Sequence, residues 1–232
     1  MLLGELGSTL KPEMVVIPAG VLHQKDDRKK ERWTAQIQSF AASRYPVTQG
    51  LYAAVLDERP AQFSGDDLPV ESVSWFDAIR FCNRLSESYG LKPSYLVHED
   101  GVVERCTVSD GFRLLTDAEW EYACRAGSQG TRYGPLEDIG WFAGNSSGTS
   151  QAVGGKKPNE FGLYDMLGNV WEWCWDLYDP VVYGEYRVFK GGGWADDERG
   201  CLVTNRRRSH PTFRVEDLGF RIARSMRLTG ST

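Results

Sequence analysis

The 232-residue chain holds 27 basic against 32 acidic residues, a net charge of −5, and is 41% hydrophobic and 12% aromatic with eight tryptophans. Such a composition builds a sizeable core rather than a disordered chain, and its acidic balance argues against a sequence-independent grip on nucleic acid. The five cysteines include no CxxC pair, which argues against a zinc ribbon, and their odd number leaves at least one thiol unpaired.

Residues 1–12 read as an N-terminal extension without the basic start and apolar run of a signal peptide, and no later run reaches membrane-span length. Residues 14–19 (MVVIPA) read as a strand stopped by Pro18 and Gly20, and 24–32 as a charged, exposed turn or loop. Trp33, Ala35 and Ile37 alternate with polar neighbours, which is strand periodicity. After Pro46-Val47-Thr48 a short helix runs through Leu51, Tyr52 and Val55 and ends near Pro60. A second helix has Ser74 as cap and Asp77 at its third position. Trp75, Ala78, Ile79, Cys82, Leu85 and Tyr89 form one buried face, and Gly90 is the stop. A hairpin turns on Glu99-Asp100-Gly101, a short strand covers 113–115, and Thr116 with Glu119 forms a capping box for a third helix that ends at Gly127. Residues 128–160, rich in Gly, Ser and Asn, read as long loops.

The stretch 187–224 stands apart. A strand pattern over 187–190 meets three glycines and Trp194, then about two dozen residues without a period, then a second strand pattern over 219–224. A long irregular segment pinned between strands is more often functional than filler. The basic run Arg206–Arg208 inside it reads as a solvated or ion-paired strand face.

Four stretches, GFRLLTDAEWEYACRAG at 111–127, GLYDMLGNVWEW at 162–173, RVFKGGGW at 187–194 and LGFRIAR at 218–224, together resemble the formylglycine-generating-enzyme (sulfatase-modifying factor) family, in the family's order. The resemblance implies an α+β fold over 13–224, with a tail over 225–232. The fold is a variant of the C-type lectin fold, loop-rich, with short helices and a small twisted sheet. Within 162–173, Asp165 and Glu172 are hard oxygen donors, and Gly168 and Val170 can offer carbonyls from the turn between them. Such a set suits Ca²⁺, although the two acids can equally cap turns. These four positions match the family's calcium ligands.

The family's oxidases hold copper(I) with two cysteines placed five residues apart after the glycine motif. Here Cys201 matches the second, Asp196 stands at the first, and Gly193 stands at the family's serine. One thiolate with one carboxylate holds Cu(I) poorly. No copper is therefore expected, and Cys201 is packing, a free thiol, or a catalytic residue only in an altered enzyme. The ergothioneine-type iron branch needs a histidine cluster, and this chain has only the scattered His23, His98 and His210.

The C-terminus more closely resembles the variable proteins of diversity-generating retroelements, where a rigid framework presents altered positions to solvent. Carried over, Trp194, Cys201, Arg206, Arg207, Gly219 and Phe220 are framework. Ala195, Asp196, Asp197, Arg199, Leu202, Val203, Arg208, His210, Thr212, Phe213 and Val215 are display positions. The expectation is a non-enzymatic binding protein at the cell surface or outside the cell. Its variable segment covers 188–224, and its partner is a protein or other macromolecule. The alternative is a formylglycine-generating-type oxidase with an altered active site.

Overall fold

The computed structural model describes residues 11–26 and 31–226, so most of the N-terminal extension and of the C-terminal tail lies outside the described residues. The chain starts with β1 (Met14–Ile17), β2 (Gly20–Asp26), β3 (Glu31–Ile37) and β4 (Phe40–Ser43). β2 and β3 form a hairpin whose pairing runs from Gly20 opposite Ile37 to Asp26 opposite Glu31. Of the charged stretch over 24–32, residues 24–26 and 31–32 are strand rather than turn or loop, and the centre of the expected turn lies outside the described residues. A hairpin outside the main sheets can carry charge along its length, so composition there does not report conformation.

α1 (Gln49–Leu56) begins at Thr48, whose hydroxyl accepts the Leu51 N–H at 3.3 Å, and stops at Asp57 with φ 57°. α2 (Trp75–Ser88) has the full capping box: Asp77 N–H donates to Ser74 Oγ at 3.1 Å and Ser74 N–H to Asp77 Oδ2 at 2.9 Å. These bonds satisfy donors that the first helical turn leaves free. β5 (Tyr95–Val97) and β6 (Val103–Arg105) form the expected second hairpin, and β7 (Phe112–Leu114) follows. α3 (Asp117–Arg125) repeats the box with Thr116 and Glu119. The loops after it contain only the single turn α4 (Leu136–Ile139). The remaining elements are β8 (Trp171–Leu177), α5 (Pro180–Tyr183), β9 (Arg187–Lys190), β10 (Arg206–Ser209), β11 (Leu218–Phe220) and β12 (Ile222–Ser225).

Two four-stranded sheets organise these pieces, in the orders β1-β4-β12-β7 and β10-β9-β8-β11. β11 runs parallel to β8, while the other pairs in both sheets are antiparallel. The strand expected over 219–224 divides at Arg221. Phe220 pairs with Trp173 in one sheet and Ile222 with Leu114 in the other. One buried residue therefore joins the two sheets, and its side chain can reach both.

The core has two parts. Around α1 and α2, Tyr52 stacks on Phe81 with centroids 5.4 Å apart, and Phe220 meets Phe81 edge-on at 5.2 Å. The indoles of Trp75 and Trp173 donate to the carbonyls of Cys174 and Val73 at 2.9 and 3.0 Å, so both tryptophans bury without an orphaned N–H. The other part gathers Trp120, Cys124, Leu163, Met166, Leu167, Cys174, Cys201 and Val203. All five cysteines are free thiols. Class and architecture are the α+β, loop-rich arrangement expected of the C-type lectin variant.

Candidate functional site

The segment from Gly191 onward is held by close backbone packing. Gly191 and Gly192 take φ of 107° and 83°, a region that side-chain-bearing residues rarely enter. A methyl group on Gly192 would stand 2.7 Å from Cys201 Sγ, and one on Gly193 2.7 Å from Asp217 Oδ2. The chain then turns over Asp197, whose Oδ1 accepts the N–H groups of Arg199 and Gly200 at 2.9 and 3.1 Å. Arg132 donates through Nε to the Cys201 carbonyl at 3.0 Å, tying the return stretch to the loop after α3.

The stretch that lacked a period is not wholly irregular. It contains β10, antiparallel to β9 with Arg206 opposite Lys190. Its arginines are largely ion-paired, as their strand reading implied: Arg206 pairs with Asp117, and Arg207 with Asp196 at 2.9 Å. Beneath them Lys190 is buried against Asp117 and Glu121, each at 3.2 Å. Burial opposes the Lys190 charge, but the two carboxylates hold its pKa above the ordinary lysine value.

The display positions divide. Ala195, Asp197, Arg199, Thr212 and Phe213 are exposed, and Leu202, Arg208, His210 and Val215 are half-buried. Two point inward and correct the expectation. Val203 lies in the core, with 1% of its surface exposed. Asp196 accepts from the Trp171 indole at 2.6 Å and the Gly193 N–H at 2.9 Å, so it is part of the frame. An aperiodic stretch gives no rule for telling Leu202 from Val203.

Of the framework residues, Cys201, Gly219 and Phe220 are buried. Trp194 is half-buried, donating to the Glu216 carbonyl at 3.0 Å with Phe63 edge-on at 5.5 Å. Arg207 is the framework exception: it lies over the Trp171 ring at 4.5 Å with about half its side chain in solvent. His210 is fixed as well as half-buried, with Nε2 2.7 Å from Glu185 Oε1 and Nδ1 2.8 Å from Thr212 Oγ1.

The four proposed calcium ligands are all buried. They do not fit a calcium ion in this arrangement, because Glu172 is already engaged. Its two oxygens receive the Trp120 indole N–H at 2.7 Å and the Arg221 guanidinium at 2.8–3.1 Å. Arg221 also donates to the carbonyls of Ser43, Arg44 and Tyr164, so it cannot swing away without losing those three hydrogen bonds as well. A divalent cation here would face a fixed guanidinium in a medium that screens poorly. Gly168 instead donates its N–H to the Gly191 carbonyl at 3.0 Å, tying the turn to the glycine run.

Asp165 behaves differently. Its Oδ2 accepts the Gly154 N–H at 2.7 Å, while Oδ1 is buried without a hydrogen-bond partner among the described residues. Burial, with the Glu172 charge adding to it, pushes the carboxyl pKa up to about 6. The folded chain therefore holds this proton more tightly than the unfolded chain does. That contribution to stability is complete below about pH 4 and is lost as the pH rises through 6. Replacing Asp165 with Asn removes the titration. In urea melts the variant is expected to gain about 2–3 kcal/mol relative to the native protein between pH 4 and pH 7, one pKa unit being about 1.4 kcal/mol. A difference that stays flat across that range would refute the assignment, and millimolar calcium is expected to leave both melts unmoved.

Cys201 is wholly buried, and burial followed by the Asp196 charge pushes its thiol up to about 12. A thiol so placed supplies almost no thiolate at neutral pH. Asp196, at the position of the oxidases' first copper cysteine, has its oxygens committed to Trp171, Gly193 and Arg207. Sequence reasoning missed the tyrosines of α5 and its flank, Tyr178, Tyr183 and Tyr186, which border β10. The only local signal was Asp179-Pro180, a cap followed by proline at the first helical position.

Two small sheets, two longer helices and a loop-rich half define the architecture of the formylglycine-generating type within the C-type lectin fold. The chain belongs to the family of the sulfatase-modifying factor enzyme 1-like domain, whose model matches residues 3–226. Treponema denticola variable protein 1 superposes with a TM-score of 0.84 at 31% identity, covering 91% of this chain and 94% of that one. The chaperone protein LppX of Paenibacillus barcinonensis is 29% identical over 94% of this chain and 91% of its own length. The inactive C-alpha-formylglycine-generating enzyme 2 of Mus musculus is 31% identical over 68% of this chain, which spans 50% of that protein. Among the described residues no helix is long and apolar enough to cross a membrane.

Proposed function

We propose that this protein is a non-enzymatic binding protein that presents residues 195–215 to a macromolecular ligand from a rigid frame, in the manner of the variable proteins it resembles. The observation that carries the reading is the division within that segment. Asp196, Cys201 and Val203 are tied into the frame, while Ala195, Asp197, Arg199, Thr212 and Phe213 reach solvent from the turns those residues hold. A frame of this kind lets side chains change without loss of folding, and it spares the ligand the entropy of ordering a loop. Likeness to a variable protein along nearly the whole of both chains supports the same reading.

Randomising Ala195, Asp197, Arg199, Thr212 and Phe213 together is expected to leave most library members folded. Surface changes of this kind sum to at most about 1–2 kcal/mol. Protease resistance of the library displayed on yeast measures it, with Asp196→Ala and Val203→Asp as unstable controls. A library that collapses as the controls do would end the display reading. The oxidase alternative has its own readout. With copper(I), oxygen and a cysteine-containing peptide, no aldehyde product above the free-copper background is expected by mass spectrometry. Turnover abolished by Cys201→Ser would reverse the choice.

A further inference from the structure

Beside the C-terminal segment lies α5, which the preceding reading does not use. β10 carries three consecutive arginines, and two have carboxylate partners, Asp117 for Arg206 and Asp196 for Arg207. Arg208 has no ion pair among the described residues. Its guanidinium lies over the ring of Tyr183 at 3.8 Å and that of Tyr178 at 4.8 Å. The aromatic run continues from Tyr183 to Tyr186 at 6.2 Å and from Tyr186 to His210 at 6.1 Å. α5, which supplies this edge, leaves Val181 and Val182 94% and 65% exposed. The turn of α5 is held by Asp179, whose Oδ1 accepts the Val182 N–H at 3.2 Å.

We propose that the contact surface extends from the C-terminal segment onto α5, with Arg208, Tyr183 and Tyr186 as its anchors, and that the partner is a protein bringing a carboxylate to Arg208 beside an apolar side chain for Val181 and Val182. The proposal rests on the binding-protein reading and names the chemistry of its partner. Tyrosine and arginine are enriched at the strongly contributing positions of protein interfaces, tyrosine because it offers a large area with few rotors and arginine because its planar fork bonds carboxylates in pairs. Contact with two rings set edge-on to each other keeps the Arg208 fork in place, so little freedom is lost when a carboxylate meets it. The patch also selects the anion. Glu185, paired with His210 at 2.7 Å and two-thirds exposed, places a negative charge in the same surface. A dianionic phosphate meets more repulsion from it than a single carboxylate does, and the net charge of −5 works against a polyanion such as nucleic acid.

The test uses the whole chain and three capped octapeptides identical but for two residues flanking a central leucine. Those residues are glutamate, lysine or phosphoserine. NMR titration follows the Arg208 side-chain Nε–H and the ring resonances of Tyr183 and Tyr186. The glutamate peptide is expected to shift these signals saturably and the lysine peptide to leave them still. Arg208→Gln and Tyr183→Ala should each weaken binding about tenfold, the worth of one charge-assisted contact. Arg84→Gln, which removes an equal charge from exposed α2, should not. Thermal melts of each variant confirm folding, and the place of half-buried Arg208 on the edge strand β10 makes its substitution mild. Equal response to the lysine peptide, absence of shifts at Arg208, or equal weakening by Arg208→Gln and Arg84→Gln would overturn the proposal. Tighter binding of the phosphoserine peptide would overturn the carboxylate assignment. If the randomised library stays folded while these peptides fail, the surface assignment falls and the display reading stands.

Discussion

Replacing Arg221 with methionine is expected to lower the unfolding free energy by about 3–5 kcal/mol, the usual cost of removing one partner from a buried ion pair. Neither Arg221 nor Glu172 has appreciable exposure, at 0% and 1% of their side chains, so the deletion leaves in the core a carboxylate whose remaining side-chain hydrogen-bond partner among the described residues is the Trp120 indole. It also removes the guanidinium's hydrogen bonds to the carbonyls of Ser43, Arg44 and Tyr164, of which the Arg44 carbonyl keeps the Tyr164 N–H at 3.0 Å. The double variant Arg221→Met with Glu172→Met is expected to recover part of the loss, because no charge is then stranded. Urea midpoints at constant slope measure both. A single variant within about 1 kcal/mol of the native protein would show that the joint between the sheets does not depend on this pair.

The same pair shows where reading the sequence stopped. Capping boxes at Ser74 with Asp77 and at Thr116 with Glu119 were legible because each is complete within three residues and sets one helix end. The hairpin on Glu99-Asp100-Gly101 was legible for a similar reason. Glu172 was read as a calcium ligand because its partner lies 49 residues away, and nothing local ties that arginine to it. The division of 219–224 between two sheets was hidden likewise. Strand periodicity runs unbroken through Arg221, while the pairing partners Trp173 and Leu114 sit in distant stretches.

In the C-terminal segment the limit was different. A run of eleven candidate display positions was drawn by resemblance, and two of them, Asp196 and Val203, belong to the frame. Asp196 was noted as a departure from the oxidases, but its hydrogen bonds to Trp171 and Gly193 give it a positive role. A carboxylate there closes the turn after the glycines and holds Arg207 over Trp171. Both oxygens of Asp196 are thereby engaged inside the protein.

The glycine run makes the sharpest demand on sequence in this part of the fold. Gly192→Ala is expected to destabilise the protein by about 3–5 kcal/mol, combining strain at φ 83° with overpacking. The added methyl would stand 2.7 Å from Cys201 Sγ, 3.0 Å from Cys201 Cα and 3.1 Å from the Gly200 carbonyl carbon, and two of those three atoms are backbone that cannot rotate aside. Gly90→Ala separates the two causes. Gly90, at the stop of α2, also has positive φ, at 65°, but nothing lies within 4 Å of its missing Cβ, so only conformational strain remains, about 1 kcal/mol. Denaturant melts of the two variants should therefore differ by about 2 kcal/mol or more. The larger loss is expected to carry a second signature. The methyl pushes on the backbone at Gly200 and Cys201, so amide exchange should quicken there and at Asn205, whose side chain donates to the Gly200 carbonyl at 2.8 Å. If both alanine variants lose the same small amount, the close approach of the return stretch to Gly192 is not what holds the C-terminal segment in place.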